Sequence, residues 1–200
     1  MRRNGNSMNK FDRIQELVSM MTYKRPAYSA SEAAFADRFL LPVFGNPDRF
    51  GNFIHIIGDN PNVLFAAHYD TVHKTAGMQS VTMDHTTGIM SKTYPDKECL
   101  GADCTTGVFL QLNMIRAGVE GVYVCHAAEE IGGIGSRGIV NSYVDYQNND
   151  SDINTYPWMD NINAVISFDR LGTTSVVTHQ SLERTCSDIF GYSLIDILAG

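Results

Sequence analysis

The 200-residue sequence lacks several features that would point to particular classes of protein. It contains no apolar run long enough to span a bilayer, and its polar start, Met1–Lys10, has no apolar signal region. Basic residues are in the minority: the formal net charge of −7 argues against nucleic acid or an anionic membrane as a primary partner. The four cysteines show no CxxC-like pairing of the kind that a thiolate zinc site uses. We therefore expect a cytoplasmic protein with free thiols and with neither a nucleic acid nor a membrane as its partner.

The composition is that of an ordinary globular domain, with 44% hydrophobic and 18% charged residues. Short apolar runs alternate with stretches of helical periodicity. Strands are predicted at 50–57, 62–67, 122–125 and 164–168, and helices at 10–22, 29–41, 106–116 and 136–146. Ser29 followed by Glu32 is a capping-box pattern, and Pro42 is expected to end that helix. This alternation predicts an α/β fold, a three-layer sandwich around a mixed, largely parallel central sheet, as one domain over residues 1–200 with a hairpin insertion at 74–99.

Chemically versatile side chains follow these predicted strands. His68 and Asp70 come directly after one strand, Glu129 and Glu130 follow another, and Asp169 ends a third. Asp103 stands between a polar loop and a helix. In open α/β sheets, ligands bind beyond the carboxyl ends of the strands. The sequence therefore places all six side chains along one rim of the sheet.

The spacing of these residues suits metal chemistry. His68 and Asp70 are two residues apart, so in strand geometry they point the same way and the carboxylate can fix the tautomer of the imidazole. Glu129 and Glu130 are neighbours in sequence, so their side chains diverge. One can therefore bind a metal while the other contacts a metal-bound water as a base. Taken singly, each feature has a plainer explanation, such as core packing, a solvated acidic pair or a helix cap. Together they favour a metal site in which Asp103 bridges two ions.

Four motifs carry a resemblance to a known group. His68-Tyr-Asp70-Thr-Val, Leu100-Gly-Ala-Asp103, Glu129-Glu130-Ile-Gly and Phe168-Asp169 resemble, in this order, the motifs of the co-catalytic dizinc exopeptidases and deacylases. The resemblance covers about residues 50–172 and is greatest to the branch of tripeptidases (peptidase T) and acyl-amino-acid deacylases. It implies metal-assisted hydrolysis of an amide bond, by an aminopeptidase or a dipeptidase that acts on peptides.

The same resemblance implies a role for each motif residue. His68 and Asp169 would bind one zinc, Glu130 would bind the second, and Asp103 would bridge them. Glu129 would be the general base and later the proton donor, and Asp70 would orient His68. A cis peptide bond is expected after the bridging aspartate, between Asp103 and Cys104.

The sequence departs from the pattern of the group at three points. Cys104 stands where an aspartate or asparagine is usual, and His73 stands where proline is common. No histidine after Asp169 matches the context of the final zinc ligand, so we expect the chain to stop short of the C-terminal segment of the group and to lack its inserted lid domain. Two alternatives stay open: an N-acyl-amino-acid deacylase that uses the same site, and a non-catalytic metal-binding or interaction domain of the same fold. Homo-oligomerisation is open as well.

Overall fold

The structure, a computed structural model, describes residues 9–169, 172, 175–180 and 182–199. Residues 1–8 lie outside the described part of the chain. They make up most of the polar start from which we expect no signal peptide. The chain divides into two units, Met1–Phe168 and Asp169–Gly200, and each is described by itself. The organisation of residues 1–200 as a single domain stays a prediction. Within the described residues, no helix has the length and apolar character needed to cross a membrane.

The first unit holds most of the secondary structure. Its helices are α1 Lys10–Met21, α2 Ala30–Phe35, α3 Leu41–Phe44, α4 Ala102–Arg116 and α5 Ile134–Gln147, with a short 3-10 helix at Pro157–Asn161. Its strands are β1 Tyr23–Lys24, β2 Phe53–Ile57, β3 Val63–His68, β4 Gly77–Met78, β5 Val81–Met83, β6 Met90–Lys92, β7 Gly121–His126 and β8 Ala164–Ser167. The second unit contains β9 His179–Gln180, β10 Glu183–Arg184 and α6 Asp188–Ala199.

The central sheet has the strand order β2-β7-β3-β8. β3 runs parallel to both β7 and β8, whereas β2 pairs antiparallel with β7. The sheet is therefore mixed and largely parallel, as predicted. Because strands β3, β7 and β8 run the same way, their carboxyl ends meet at one edge of the sheet.

Apolar clusters cover the two faces of this sheet. Tyr123 and Cys125 of β7 pack in one cluster with Leu112 of α4. Val122 and Val124 point the other way and pack with Ile139 of α5. A strand covered on both faces must be apolar at every position, which explains the unbroken apolar run of β7. These clusters confirm the three-layer α/β sandwich.

Two element predictions are wrong in detail. β8, expected to be covered on both faces, alternates between half-buried and exposed residues because it is one of the two outer strands of the described sheet, and Val165 is 57% exposed. The helix that begins at Ser29 does not end at Pro42. It continues through a π-helical turn, Ala36–Leu40, into α3, where proline occupies the first turn and its missing N–H breaks no helical hydrogen bond.

A β-hairpin lies within residues 74–99, the segment for which an insertion is predicted; that the segment is an insertion stays a prediction. β5 and β6 pair antiparallel, and the Asp84 carboxylate accepts a hydrogen bond from the N–H of Thr86 at 2.8 Å in the connecting turn. β4, just before the hairpin, pairs with β1 near the start of the chain. Through β4, residues 74–99 are therefore connected to β1, the short strand between α1 and α2.

Candidate metal centre

His68 is the last residue of β3 and is 3% exposed. Its Nδ1 lies 3.1 Å from the backbone oxygen of Asp70, and its Nε2 lies 3.1 Å from Oδ1 of Asp103. If Nδ1 carries the proton toward Asp70, the lone pair of Nε2 faces a carboxylate oxygen. Two acceptors at this distance are stabilised by a positive charge between them, either a proton or a metal cation.

Asp70 is fully buried and joins two loops. Its carboxylate accepts hydrogen bonds from the backbone N–H groups of Glu129 and Glu130, each at 3.0 Å. It also lies 3.4 Å from Nδ1 of His68. Burial by itself would raise the pKa of Asp70, but the hydrogen bonds from His68 and from the two amides together lower it. The carboxylate is therefore ionised, and it fixes the glutamate loop against the end of β3.

Asp103 occupies an irregular start of α4. Gly101 has φ +77, and an added Cβ there would lie 2.8 Å from Cε1 of His73, so this close turn needs glycine. Asp103 and Cys104 have non-helical backbone angles, and the peptide bond between them is cis, as the resemblance implied. The Asp103 side chain is 67% exposed, whereas the thiol of Cys104 is buried and lies 3.0 Å from the backbone oxygen of Phe168. The backbone thus directs the carboxylate outward while the thiol packs inward.

The glutamates lie in the loop that follows β7. The N–H groups of Gly132 and Gly133 donate hydrogen bonds to the backbone oxygen of Glu129 at 3.0 and 2.9 Å and close the loop. The fully buried Asn52 holds this loop with two hydrogen bonds. Its Nδ2 donates to the backbone oxygen of Gly135 at 3.0 Å, and its Oδ1 accepts from the N–H of Ala127. Sequence reasoning missed Asn52, because a single asparagine before a strand carries no pattern that reveals these contacts.

His68, Glu129 and Glu130 form a group that could hold a metal ion, since one ligand atom of each lies within 4.8 Å of the other two. Oε2 of Glu129 is 3.9 Å from Nε2 of His68. Oε1 of Glu130 is buried and has no hydrogen-bond partner among the described residues. A buried carboxylate oxygen without a donor is costly unless a cation neutralises it.

The electrostatics of Glu130 point the same way. Burial raises the pKa of Glu130 to about 7; His68 opposes the rise, and the neighbouring carboxylates of Asp103 and Glu129 add to it. A divalent cation would remove this repulsion. Histidine and carboxylate side chains are ligands that zinc uses in catalytic sites, so the residues present fit the metal that the motifs imply.

The predicted site residues are thus brought together in the first unit, with one exception. His68, Asp70, Asp103, Glu129 and Glu130 converge at the carboxyl ends of β3 and β7 and the start of α4. Asp169 is the first residue of the second unit. Its role as a ligand stays a prediction, as do the roles assigned to the other five side chains.

His126, at the end of β7, is not among these metal-ligating groups. Its Nδ1 lies 3.2 Å from Oδ1 of Asn52, and burial lowers the pKa of His126 to about 4. The imidazole is therefore neutral at physiological pH and packs as part of the support under the loop.

Comparison with one solved structure agrees with the fold. A tripeptidase from Staphylococcus aureus subsp. aureus Mu50 is similar with a TM-score of 0.55 at 14% sequence identity, over 84% of this chain and 46% of the tripeptidase. LapB from Legionella pneumophila aligns with a TM-score of 0.42 at 18% identity, over 80% of this chain and 42% of LapB. The chain thus spans less than half the length of these two proteins. No curated protein matches the sequence.

The sequence itself matches the profile of Peptidase family M28 over residues 52–192, which is well over half of the chain. The matched region contains all six predicted site residues. Peptidases of this family are zinc-dependent, which agrees with the donor set at the rim of the sheet. The resemblance of the four motifs to the co-catalytic zinc peptidases is therefore confirmed at the level of the family, and the chain belongs to peptidase family M28.

Proposed function

We propose that the chain is the catalytic part of a zinc-dependent exopeptidase, an aminopeptidase or a dipeptidase, which hydrolyses the amide bond at the end of a peptide. One observation carries the proposal: the carboxylate of Glu130 lies in one group with His68 and Glu129, and its buried Oε1 has no hydrogen-bond donor in the described structure, in a chain of family M28. If this rim had a purely structural role, its buried carboxylates would accept hydrogen bonds from nearby donors. The neighbours of Glu130 in this group are instead further acceptors.

In this proposal His68, Asp103, Glu130 and Asp169 would hold the metal, and Asp103 would be the ligand shared by two zinc ions. When bound, zinc supplies a lowered pKa for a coordinated water and a positive charge that polarises the scissile carbonyl. The Asp103 carboxylate is 67% exposed and lies 3.1 Å from Nε2 of His68, and this proximity to another proposed ligand supports a bridging role.

Glu129 is the proposed general base. Its side chain is 45% exposed, so it can reach a water and a substrate, while its N–H and backbone oxygen are both fixed by hydrogen bonds. The carboxylate takes a proton from the attacking water and then delivers it to the amine that leaves. A positioned base of this kind contributes typically 10²–10⁴-fold to a hydrolytic rate.

Asp70 is the proposed orienting residue. It lies next to Nδ1 of His68, so the proton stays on that nitrogen and Nε2 keeps its lone pair for a metal. The same carboxylate holds the N–H of Glu129 and of Glu130. One side chain thereby sets the direction of a ligand and the position of the base together.

A cytoplasmic location belongs to the same proposal. The four cysteines are thiols rather than disulfides, which supports a reducing compartment. The proposed substrates are accordingly peptides produced inside the cell.

The function is tested with the purified full-length protein, loaded with zinc or cobalt, against a panel of dipeptides, tripeptides and N-acyl-amino acids. We expect release of a terminal residue from peptides, and Glu129→Gln, which keeps the size of the side chain but removes the base, should abolish turnover while leaving the metal content nearly intact. Cleavage of acyl-amino acids alone would make the protein a deacylase. Turnover of neither class by the metal-loaded full-length protein would exclude the enzyme and leave a metal-binding domain.

A further inference from the structure

Arg25 is the largest fully buried side chain in the described structure. It follows β1 and precedes α2, in a part of the chain that lies outside the residues matched to family M28. The proposed catalytic steps do not use it. A buried arginine is uncommon unless its guanidinium is fully engaged, so its partners indicate its role.

The guanidinium connects three separate segments. Nε donates to the backbone oxygen of Tyr69 at 2.8 Å, and Nη2 donates to Oγ1 of Thr105 at 2.6 Å. Nη1 reaches the backbone oxygen of Met20 in α1 at 3.2 Å. Tyr69 lies between His68 and Asp70, and Thr105 is two residues beyond Asp103. The side chain therefore bridges the loop at the end of β3 and the start of α4.

Further contacts fix the guanidinium in place. The backbone N–H of Arg25 donates to Oγ1 of Thr71 at 3.1 Å, and its backbone oxygen accepts from the N–H of Thr71 at 2.8 Å. The plane of the guanidinium lies over the ring of Phe35, with Cζ 4.0 Å from the ring centroid. Thr105 in turn donates to the backbone oxygen of Gly101, the glycine that begins α4.

The charge of Arg25 also bears on the site. Burial lowers the pKa of Arg25 to about 10, and the negative charges of Asp70 and Glu32 oppose this lowering, so the side chain remains a cation at physiological pH. Its positive charge acts in return on Asp70, the carboxylate that holds the glutamate loop.

We propose that Arg25 is a positioning residue for the metal centre. Its guanidinium sets the separation between His68 on one loop and Asp103 at the start of α4, through Tyr69 and Thr105. The planar fork donates in three directions to fixed acceptors, which the single ammonium of a lysine cannot reproduce. The inference rests on the proposed function, because it needs a metal bound at His68 and Asp103.

The test compares variants on both sides of the bridge. Arg25→Lys keeps the charge and removes the fork. Thr105→Val removes the acceptor with almost no change in volume, and Thr105→Ser restores it. Arg38→Lys is the matched control, because Arg38 is an exposed arginine of the same region whose Nη1 lies 3.3 Å from the hydroxyl of Tyr23 and which lies over the ring of Phe39.

Two quantities are measured for each variant: zinc affinity by calorimetry and the visible absorption spectrum of the cobalt-loaded chain, with the folded fraction followed by near-ultraviolet circular dichroism. Substitution of groups that orient metal ligands typically costs 10–100-fold in metal affinity. We expect a loss of this size and an altered cobalt spectrum for Arg25→Lys and Thr105→Val, and wild-type behaviour for Thr105→Ser and Arg38→Lys.

A merely structural role predicts a different result. If folded Thr105→Val binds zinc with wild-type affinity and gives the wild-type cobalt spectrum, the inference is overturned, whatever the loss in stability. This variant also decides the question if Arg25→Lys does not fold. A wild-type chain that binds neither metal would overturn the proposed function and this inference with it, whereas wild-type binding with an unaffected Thr105→Val would overturn this inference alone.

Discussion

Replacing Asp70 with asparagine should weaken both the fold and the metal centre. The Asp70 carboxylate accepts two backbone N–H groups, from Glu129 and Glu130, each at 3.0 Å. An asparagine has one acceptor oxygen, and its NH2 group would face the second N–H donor. A hydrogen bond to a charged group contributes about 1.5–3 kcal/mol, and a buried donor left unsatisfied costs about 1–3 kcal/mol. Because these two terms overlap, we expect a loss of about 2–4 kcal/mol in the free energy of unfolding.

The assay is urea unfolding of the metal-free chain, followed by zinc titration of the folded variant. The control is Asp160→Asn, since Asp160 is an exposed aspartate that accepts a hydrogen bond from the Tyr143 hydroxyl at 2.6 Å. We expect the control to change the free energy of unfolding by less than about 1 kcal/mol, as is usual for surface contacts. Zinc affinity should fall about 10–100-fold in Asp70→Asn, because His68 and the glutamate loop lose their common anchor. An Asp70→Asn chain with wild-type stability and affinity would refute the assignment of Asp70 as that anchor.

Two further predictions concern stability. Burial raises the pKa of Glu32 from 4.5 to about 7, so the folded chain favours the protonated carboxyl. The stability that this protonation contributes is complete below about pH 4.5 and is lost as the pH rises through 7. The free energy of unfolding of the wild type, relative to that of Glu32→Gln, should therefore fall by about 2 kcal/mol between pH 4.5 and 8, after allowance for solvent screening. Parallel pH curves for the two chains would contradict this prediction. Gly107→Ala should destabilise the chain by about 1–3 kcal/mol, since its Cβ would lie 2.4 Å from Sγ of Cys104 and 2.8 Å from the Phe168 oxygen. Thermal unfolding beside the exposed-site control Thr106→Ala measures this cost, and equal midpoints would show that α4 can move away from the sheet.

The architecture was readable from the sequence because the central strands are buried on both faces. An unbroken run such as Val122–Cys125 has few other uses in a globular protein, and its alternation with helical periodicity leaves an α/β sheet. The rule that ligands bind at the carboxyl ends of such strands then predicts where the polar motifs lie. On this rule the sequence alone predicts that His68, Asp70 and the two glutamates lie along one rim.

Other features depend on position in the sheet or on neighbours distant in sequence. β8 has the same kind of apolar run as β7, but nothing local reveals that it is an outer strand. The helix after Ser29 continues past the predicted stop because its chain passes through a π-helical turn, which places Pro42 in a new first turn. A proline marks a boundary between helical segments here, not the end of helical structure.

The supports of the site were beyond sequence reasoning. Arg25 contacts Tyr69 and Thr105, which are 44 and 80 residues away along the chain. Asn52 contacts Gly135, 83 residues away. Neither residue belongs to a motif with a defined spacing, so only the folded arrangement shows that they hold the loops in place.

The most direct test of the metal centre is the zinc content of three chains, measured by mass spectrometry after equilibration with zinc and desalting. Glu130→Gln keeps the shape of the side chain but removes a charge from the group formed with His68 and Glu129. We expect zinc in the wild type, nearly as much in Glu129→Gln, and a large loss in Glu130→Gln. Loss in Glu129→Gln with retention in Glu130→Gln would mean that the two glutamates have exchanged roles, and equal zinc in all three chains would contradict a metal centre built on this pair.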